Sequence, residues 1–428
     1  MALGLAGVRS AWFLDVARWA TVGSLPLEFV KCLSAEELAA RLASGRPFSV
    51  VLLDAGATGV DRDLIDVART RDTPVVVVDD GRSRADWPAL GAATVLPPDF
   101  DRPALLDALT RVASMIGGAV ALPGVEADPA PGAGPGGRLV AVTGSGGAGA
   151  SSVAIALAQG LADDEGTGRV VLADLCLDAD QAMLHDARDI VPGLQELVDA
   201  HRNGRPDLRD VRDLTYTVVD RRYHLLLGLR RHRDWAVLRR RSLEAAIDGL
   251  QRAFDVVVAD VDPEVEGEHE TGSIEVEERN LVARTTLNRA GVVVVVGRAG
   301  LKGLHASVRV VGALREHGVE PERMLAVVVG APRHPRPRAE HTRTFAALTG
   351  ADQGWPAVAG PLFLPHRPTL DAVHRDGARL PSSLTNPTAA AVRSVFERVA
   401  DRAVVDDAPR PIRQGELGSW PEAQAAGR

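Results

Sequence analysis

The feature that most constrains the fold is a glycine-rich turn between an apolar strand pattern and a helical pattern. Residues 139–143 read LVAVT, and an Ala-rich apolar run follows from residue 153. This order of strand, turn and helix is typical of a phosphate-binding loop, because glycine lets successive backbone N–H groups face one concavity at the positive end of a helix. The pattern predicts a phosphate cradle made by Gly144, Ser145, Gly146, Gly147, Ala148, Gly149, Ala150, Ser151 and Ser152.

Two other interpretations fit the same turn. It could be a plain strand-to-helix connection, or a dinucleotide fingerprint, since Gly144, Gly146 and Gly149 also spell G-x-G-x-x-G. The phosphate-loop pattern G-x-x-x-x-G-K-[ST] is matched at every required position but one, because Ala150 stands where the lysine belongs. The residues farther along the chain decide between these readings.

Further apolar strand patterns follow the turn and alternate with helical segments. Strands that are apolar on both faces indicate a parallel sheet covered by helices on each side. We therefore predict an α/β fold, a doubly wound parallel-sheet P-loop NTPase domain at residues 138–403. Its strands are expected at 139–143 and at Val170–Ala173, Leu225–Leu227, Val256–Ala259, Val292–Val296 and Leu325–Val329.

Residues 1–116 predict a separate, smaller α/β domain, since 428 residues exceed one ordinary core. The order of its predicted strands and helices resembles a receiver (CheY-like) domain, with Asp54 at the strand end where the phosphoacceptor would lie. No early strand ends in an acidic pair, and Pro97 stands where a receiver has its lysine. We therefore favour a turn or cap role for Asp54 over phosphorylation, and a module that docks a partner.

The remaining segments predict a linker and a tail, and the composition indicates the cellular compartment and the class of partner. Residues 117–137 are rich in Pro, Gly and Ala and predict a linker, and residues 404–428 predict a disordered tail. The two cysteines, Cys32 and Cys176, have no metal-site spacing and fit a reducing cytoplasm, and no signal peptide is apparent. A net charge of −8 argues against a dedicated nucleic-acid binder.

Carboxylates at two strand ends predict a magnesium site beside the glycine-rich turn. Asp174 follows the strand at Val170–Ala173, and Asp260 ends the strand at Val256–Ala259. Carboxylates at such positions hold Mg²⁺ together with the loop hydroxyl, here that of Ser151. The alternative is that these aspartates cap helices or form turns. For Asp260 we favour the metal role.

These motifs, taken in order, resemble the MinD/ParA superfamily of P-loop ATPases. The loop, the strand ends at Asp174 and Asp260, and the segment Pro361–Pro365 carry the resemblance, which covers about residues 138–400. Within it the chain is most similar to the CpaE-like branch and to actinobacterial septum-site-determining homologues, in which a receiver-like domain comes first. The resemblance implies ATP and Mg²⁺ as cofactors, a homodimer, and protein partners in a membrane-associated pilus, secretion or division machine.

The chain departs from that superfamily at the residues that matter for hydrolysis. Ser145 and Ala150 replace the two lysines of the family loop, and Cys176 replaces a frequent second aspartate. Phosphoryl transfer depends on positive charge beside the phosphates, so hydrolysis should be weak or absent whereas nucleotide binding should survive. The leading hypothesis is thus a nucleotide-binding regulator or scaffold; the alternatives are an active, dimeric ATPase and a nonspecific DNA-binding partition protein.

Three further features have an ordinary and a functional interpretation. The acidic stretch at 263–280 is either a solvated loop or a partner-binding switch segment. Lys302 is more simply a solvated residue than a phosphate ligand. We do not expect DNA as a partner, because the arginine clusters lie in no predicted recognition helix. A direct membrane anchor is not expected, because the tail has no basic amphipathic helix. The arginines that could hold DNA are Arg230, Arg231, Arg233, Arg239, Arg240, Arg241, Arg333, Arg336 and Arg338.

Overall fold

A computed structural model of the protein describes residues 1–7, 10–21, 24–113, 136–350 and 357–406. Its first unit, residues 1–113, is built on a five-stranded, fully parallel sheet in the order β2-β1-β3-β4-β5. This is the strand order of flavodoxin-like α/β folds. The strands are β1 (Ala2–Leu5), β2 (Phe29–Cys32), β3 (Val50–Asp54), β4 (Val75–Val78) and β5 (Thr94–Leu96).

Helices cover both faces of this sheet, and short polar caps start most of them. Ser34, Asp61, Asp86 and Asp101 each accept a hydrogen bond from a backbone N–H in the first turn of the helix that follows. The strands between them are apolar on both faces, as burial on both sides requires. The helices are α1 (Ala11–Thr21), α2 (Ala35–Ala43), α3 (Arg62–Arg69), α4 (Trp87–Leu90) and α5 (Arg102–Val112).

The second unit begins at residue 136 and is built on an eight-stranded sheet in the order β13-β12-β11-β6-β10-β7-β9-β8. Every pair is parallel except β8 with β9 at one edge. The predicted doubly wound parallel sheet is therefore confirmed. Its strands are β6 (Arg138–Gly144), β7 (Val170–Leu175), β8 (Tyr216–Val218), β9 (Tyr223–Leu226), β10 (Val256–Val261), β11 (Val292–Arg298), β12 (Met324–Ala331) and β13 (Ala359–Pro365).

Two hydrophobic layers sandwich the second sheet. One lies between the sheet and the pair α6 and α17, and the other lies under α8, α10, α13 and α14. Short 3₁₀ segments span His232–Val237 and Pro321–Arg323. The helices are α6 (Ala150–Ala162), α7 (Gln181–Leu184), α8 (Leu194–Asn203), α9 (Leu208–Asp213), α10 (Arg240–Ala253), α11 (Glu268–Thr271), α12 (Ile274–Arg279), α13 (Leu281–Arg289), α14 (Leu301–Glu316), α15 (Pro335–Leu348), α16 (Leu370–Arg375) and α17 (Ser382–Asp406).

The strand β6 occupies the middle of this sheet, between β11 and β10. Its carboxyl end leads into the glycine-rich turn, so the turn opens at the edge where parallel strands deliver their loops. Ligands of open α/β sheets bind in the crevice outside that edge. The fold therefore places residues 144–152 where a ligand site is expected.

Several elements differ from the sequence-based expectation. The strand β1 and the helix α1 were not predicted, and neither was the antiparallel edge strand β8. The helix α17 includes residues 404–406 of the predicted tail. Residues 407–428 and all of the predicted linker except Gly136 and Gly137 lie outside the described residues. In the part of the chain that is described, no helix is long and apolar enough to cross a membrane.

Candidate functional site

The glycine-rich turn forms an open cradle between β6 and α6. Gly147 and Gly149 adopt positive φ values of 71° and 94°, a conformation that favours glycine. A Cβ added at Gly146, Gly147 or Gly149 would meet no atom within 4 Å. The glycines are therefore required by the backbone path at two positions, and they leave the space above the turn free.

The residues of this turn and of the first turn of α6 line that free space. Ala148 N–H closes a turn onto the carbonyl of Ser145 at 2.9 Å, and Val153 N–H begins the hydrogen bonding of α6. The N–H groups of Ala150, Ser151 and Ser152 occupy the first turn of α6 and have no acceptor within the helix. A helix start with free N–H groups and its positive dipole end binds anions.

Two aspartates lie side by side next to this cradle. Asp174 of β7 and Asp260 of β10 are paired residues of adjacent parallel strands, so both carboxyl groups leave the sheet at the same level. Both are almost completely buried, at 0% and 1% exposure. Ligand atoms of Asp174, Cys176 and Asp260 all lie within 4.8 Å of one another. The structure thus brings together two of the three predicted metal ligands.

Ser151 and Gln181 join this pair to the cradle. The Ser151 hydroxyl lies near Asp260 and acts to lower the pKa of that carboxyl group. The Gln181 amide donates to Asp260 Oδ2 at 2.7 Å and to the Ser151 carbonyl at 3.3 Å, while its backbone N–H donates to Asp174 Oδ2 at 2.8 Å. All three predicted metal residues, Ser151, Asp174 and Asp260, are therefore held in one hydrogen-bonded cluster.

Burial of the two carboxyl groups favours their neutral forms. Desolvation raises the pKa of Asp260 to about 6, against the opposing effect of the hydrogen bonds from Ser151 and Gln181. Desolvation and then the charge of Asp260 raise the pKa of Asp174 well above its ordinary value. Two carboxyl groups this close repel each other when both are ionised, and a bound cation relieves that repulsion. The pair is therefore a site that gains free energy from a bound cation.

Cys176 contributes to this cluster as a neutral thiol. Burial, followed by the charges of Asp260 and Asp174, raises the pKa of its thiol. Mg²⁺ prefers oxygen ligands, so a protonated thiol adds nothing to a magnesium site. The two aspartates and the Ser151 hydroxyl are the suitable ligands here.

The cradle and Asp260 line one cavity of about 670 Å³. This volume lies in the ordinary range of small-molecule sites. All of the predicted loop residues line it, together with Asp260. The acidic lining residues are Asp178, Asp180, Asp260, Asp262 and Glu264, while His232 and Arg279 supply the basic groups. An anionic ligand would therefore need a cation to enter this cavity.

One more guanidinium approaches the cradle from β11. The Nη1 atom of Arg298 lies 3.5 Å from the Gly147 carbonyl oxygen. Arg298 is exposed, and no carboxylate among the described residues forms an ion pair with it. Its position follows from the register of β11 on β6, in which Val296 pairs with Gly144. Arg298 is a basic group that sequence analysis did not identify.

Sequence analysis also missed Gln181 and Asp262. Gln181 makes the contacts described above, and Asp262 accepts a hydrogen bond from the Leu177 N–H at 2.7 Å. Gln181 comes seven positions after Asp174 and carries no charge, so no motif marked it. Asp262 lies two residues beyond Asp260, directly after the end of β10, and this closeness to Asp260 in sequence was the available signal.

The other residues considered above lie elsewhere. Asp54 ends β3, where the Ser10 hydroxyl and the Gly56 N–H, at 2.8 Å, bond its carboxylate. Lys302 is exposed in the first turn of α14 and does not line the cavity. Ion pairs partly neutralise the arginine cluster at 230–241, namely Arg230 with Glu196, Arg240 with Glu277 and Arg241 with Glu244.

No family model and no curated protein matches this chain. Solved structures of similar fold include a ParA family ATPase from Chlorobium tepidum, at 14% identity, a TM-score of 0.46, and coverage of 61% of this chain and 98% of that one. A putative plasmid partition protein from Borrelia burgdorferi bound to AMPPNP is 13% identical, with a TM-score of 0.43 and coverage of 61% of this chain and 99% of that one. The septum site-determining protein MinD from Pyrococcus horikoshii, complexed with Mg-ADP, is 16% identical, with a TM-score of 0.43 and coverage of 63% of this chain and 98% of that one. At these identities and TM-scores the likeness assigns no function.

Proposed function

We propose that the protein is a nucleotide-binding regulator or scaffold of the MinD/ParA-like class, with ATP and Mg²⁺ as its ligands. The observation that carries the proposal is the shared cavity: the residues with the free N–H groups of the cradle line the same space as Asp260, and Asp174 lies beside Asp260. The N–H groups suit phosphate oxygens. The carboxylates suit a divalent cation bound to those phosphates.

Binding in this proposal does not depend on the two missing lysines. Backbone N–H groups, the Ser151 hydroxyl and a carboxylate-bound cation supply the contacts to the phosphates. Hydrolysis needs in addition a positive charge that strengthens its contact as the transition state forms. With Ser145 and Ala150 at the lysine positions, we expect weak or absent turnover, and the nucleotide acts as a conformational ligand.

A second candidate is a dimeric ATPase that turns over ATP. Arg298 favours it, since this unpaired guanidinium lies beside the cradle and could supply the charge that lysine provides elsewhere. Steady ATP turnover by the wild type that is lost in both Arg298→Ala and Asp260→Ala would support this candidate. Wild-type ATP turnover no faster than that of Asp260→Ala would contradict this candidate.

We further propose a division into a receiver-like domain (1–116), a linker (117–137), a P-loop domain (138–403) and a tail (404–428). The flavodoxin-like order of the first sheet supports the receiver-like assignment. The hydrogen-bonded Asp54, without acidic neighbours at the end of β1, supports a docking module over a phosphorylated one. In this proposal the protein acts in the cytoplasm as a homodimer.

The CpaE-like resemblance extends the proposal to its partners. They would be proteins of a membrane-associated pilus, secretion or septum-placement machine, and the chain would reach the membrane through them. The ion pairs that partly neutralise the arginine cluster at 230–241 support a protein partner over DNA. Absence of binding to duplex DNA at low ionic strength would agree with this, whereas salt-sensitive binding would favour the partition-protein alternative.

Calorimetry with ATP and Mg²⁺ tests the proposed function. The variant Gly146→Val places a branched side chain in the cradle without requiring a positive φ. Gly312→Val is the matched control, because that glycine lies in α14 and also has free space at its Cβ. We expect binding by the wild type and the control, and its loss in Gly146→Val. No binding by the wild type, or equal binding by all three, would contradict the proposal.

A further inference from the structure

Three consecutive residues at the start of α3 attach the first unit to the second. We call Asp61, Arg62 and Asp63 the docking triplet. Asp61 caps α3 through the Leu64 N–H at 3.1 Å and forms an ion pair with Arg202 of α8, at 2.7 Å. The Asp61 side chain is 8% exposed and that of Arg202 is 32% exposed, so the carboxylate end of this ion pair is the one shielded from solvent.

Arg62 binds the carboxyl end of α8. Its Nε atom donates to the His201 carbonyl at 2.7 Å, and its Nη2 atom donates to the Gly204 carbonyl at 2.8 Å. The last carbonyls of a helix have no partner inside the helix and carry its negative dipole end. The Arg62 guanidinium, from the other unit, donates hydrogen bonds to these carbonyls and places a positive charge at the negative end of the dipole.

Asp63 binds the amino end of α10. Its carboxylate accepts from the Arg241 N–H at 3.0 Å and from the Ser242 hydroxyl at 2.8 Å. The residue that precedes α10, Arg239, provides no side-chain cap. Asp63 therefore caps a helix of the second unit, and adjacent residues of α3 match the opposite dipole ends of two neighbouring helices.

The amino end of α10 is connected to the nucleotide cavity by one short segment. In the 3₁₀ turn His232–Val237, His232 lines the cavity and its Nδ1 atom lies 3.0 Å from Asp178 Oδ1. Trp235, at the other end of this turn, lines a cleft of about 360 Å³ between the two units. Two residues after the turn, the chain reaches Arg239 and the start of α10.

The helix α12 makes a second connection. Its last residue, Arg279, and the following Asn280 line the cavity. Its first residue, Ile274, lines the cleft. Glu277 of this helix pairs with Arg240 at 2.8 Å, so α12 is tied to the first turn of α10 that Asp63 caps. The acidic stretch at 263–280 thus touches both places.

From this arrangement we infer that nucleotide binding in the cavity and docking of the first unit are coupled through the 232–237 turn and α12. The inference rests on the proposed function and names a regulation of the same site. Docking fixes the start of α10, which follows the 232–237 turn and pairs with α12 through Arg240 and Glu277. The cavity already has the volume of a small-molecule site in the docked arrangement, so docking and binding reinforce each other. Coupling of this kind is reciprocal.

Calorimetry with ATP and Mg²⁺ on full-length variants tests the coupling. Asp63→Ala removes the cap of α10. Asp63→Asn keeps an oxygen acceptor there, since Asn caps helices about as well as Asp. Asp107→Ala is the matched control, an exposed aspartate of α5 in the same unit that pairs with Arg111. We expect Asp63→Ala to weaken ATP binding about fivefold or more, with near wild-type binding in the other two.

Hydrogen exchange on the wild type supplies the reciprocal measurement and needs no variant to fold. The Arg241 amide is protected by Asp63, so ATP with Mg²⁺ should slow exchange in peptides that cover 239–243 and in α3. Equal ATP affinity of Asp63→Ala and wild type, or unchanged exchange at these sites, would overturn the coupling and leave the proposed function standing. Absence of ATP binding by the wild type would overturn both.

Discussion

The side-chain amide nitrogen of Gln181 lies 2.7 Å from Oδ2 of Asp260, in a position where neither residue is more than 1% exposed. Through its backbone N–H the same glutamine also holds Asp174. One uncharged residue thus fixes both carboxyl groups of the proposed cation site. Its Oε1 atom is buried and has no partner within the described residues, so it offers a further acceptor toward the site.

Replacing Gln181 should weaken cation-dependent binding. Gln181→Ala leaves Asp260 buried with one hydrogen bond fewer, and a lost bond to a charged group costs about 1.5–3 kcal/mol. We expect the affinity for ATP with Mg²⁺ to fall at least about tenfold by calorimetry. Gln195→Ala is the control, because the Gln195 side chain accepts its hydrogen bond from the exposed Arg230, away from the carboxyl pair. Equal affinities of the two variants would show that Gln181 does not position the carboxylates.

Nucleotide binding should depend strongly on Mg²⁺. Five carboxyl groups line the cavity against His232 and Arg279, so the phosphates of free ATP would be repelled. We expect ATP binding with excess Mg²⁺ and a loss of at least about tenfold in EDTA, with much less effect on adenosine. Titration of both ligands with and without the metal measures this. ATP binding that is insensitive to EDTA would mean that the carboxylates hold no cation.

The raised pKa of Asp260 predicts an unusual dependence of stability on pH. Its folded value of about 6 exceeds its ordinary value of 3.8, so the folded state binds this proton more tightly than the unfolded chain. The resulting stabilisation is complete below the unfolded pKa and is lost as pH rises through about 6. Asp174, whose pKa is also raised, contributes with the same sign.

Asp260→Asn removes the titration of this group and keeps its shape. In EDTA we expect the variant to be more stable than the wild type above pH 6 by on the order of 2–3 kcal/mol, and the difference in Tm to shrink toward pH 4. Melting curves of both proteins across this range provide the measurement. A difference in Tm that stays constant with pH would show that Asp260 is not the group that titrates.

The second sheet was predictable because its strands are apolar on both faces. Runs such as Val292–Val296 have one plausible structure between helical segments, and the strand ends then place Asp174 and Asp260 together. By contrast, β1 was missed because four residues that include Gly4 show no strand pattern. A Cβ at Gly4 would lie 2.3 Å from the Phe29 ring, so the glycine is explained by tertiary packing alone.

The contacts between distant segments could not be predicted from the sequence, because they too depend on tertiary packing. Arg298 reaches Gly147 only because β11 pairs with β6, and Asp63 caps α10 only because the two units meet there. Asp63 reads as an ordinary first-turn acid of its own helix. A charged residue at a helix end can stabilise its own helix or cap another one, and only the three-dimensional structure distinguishes the two roles.

A final prediction concerns the support of the cradle by α17. The helix α6 packs against α17 at Gly160, where an added Cβ would lie 2.4 Å from the Thr385 carbonyl oxygen and 3.1 Å from the Ala389 Cβ. Because the nearer contact is backbone, Gly160→Ala must push the helices apart, and we expect a loss of about 1–3 kcal/mol in the free energy of unfolding. Gly312→Ala, in α14 with no atom near its Cβ, should instead gain up to about 1 kcal/mol from helix propensity. Thermal melts of the two variants should therefore shift in opposite directions. A higher melting temperature for both would show that α6 and α17 are less closely packed than the structure has them.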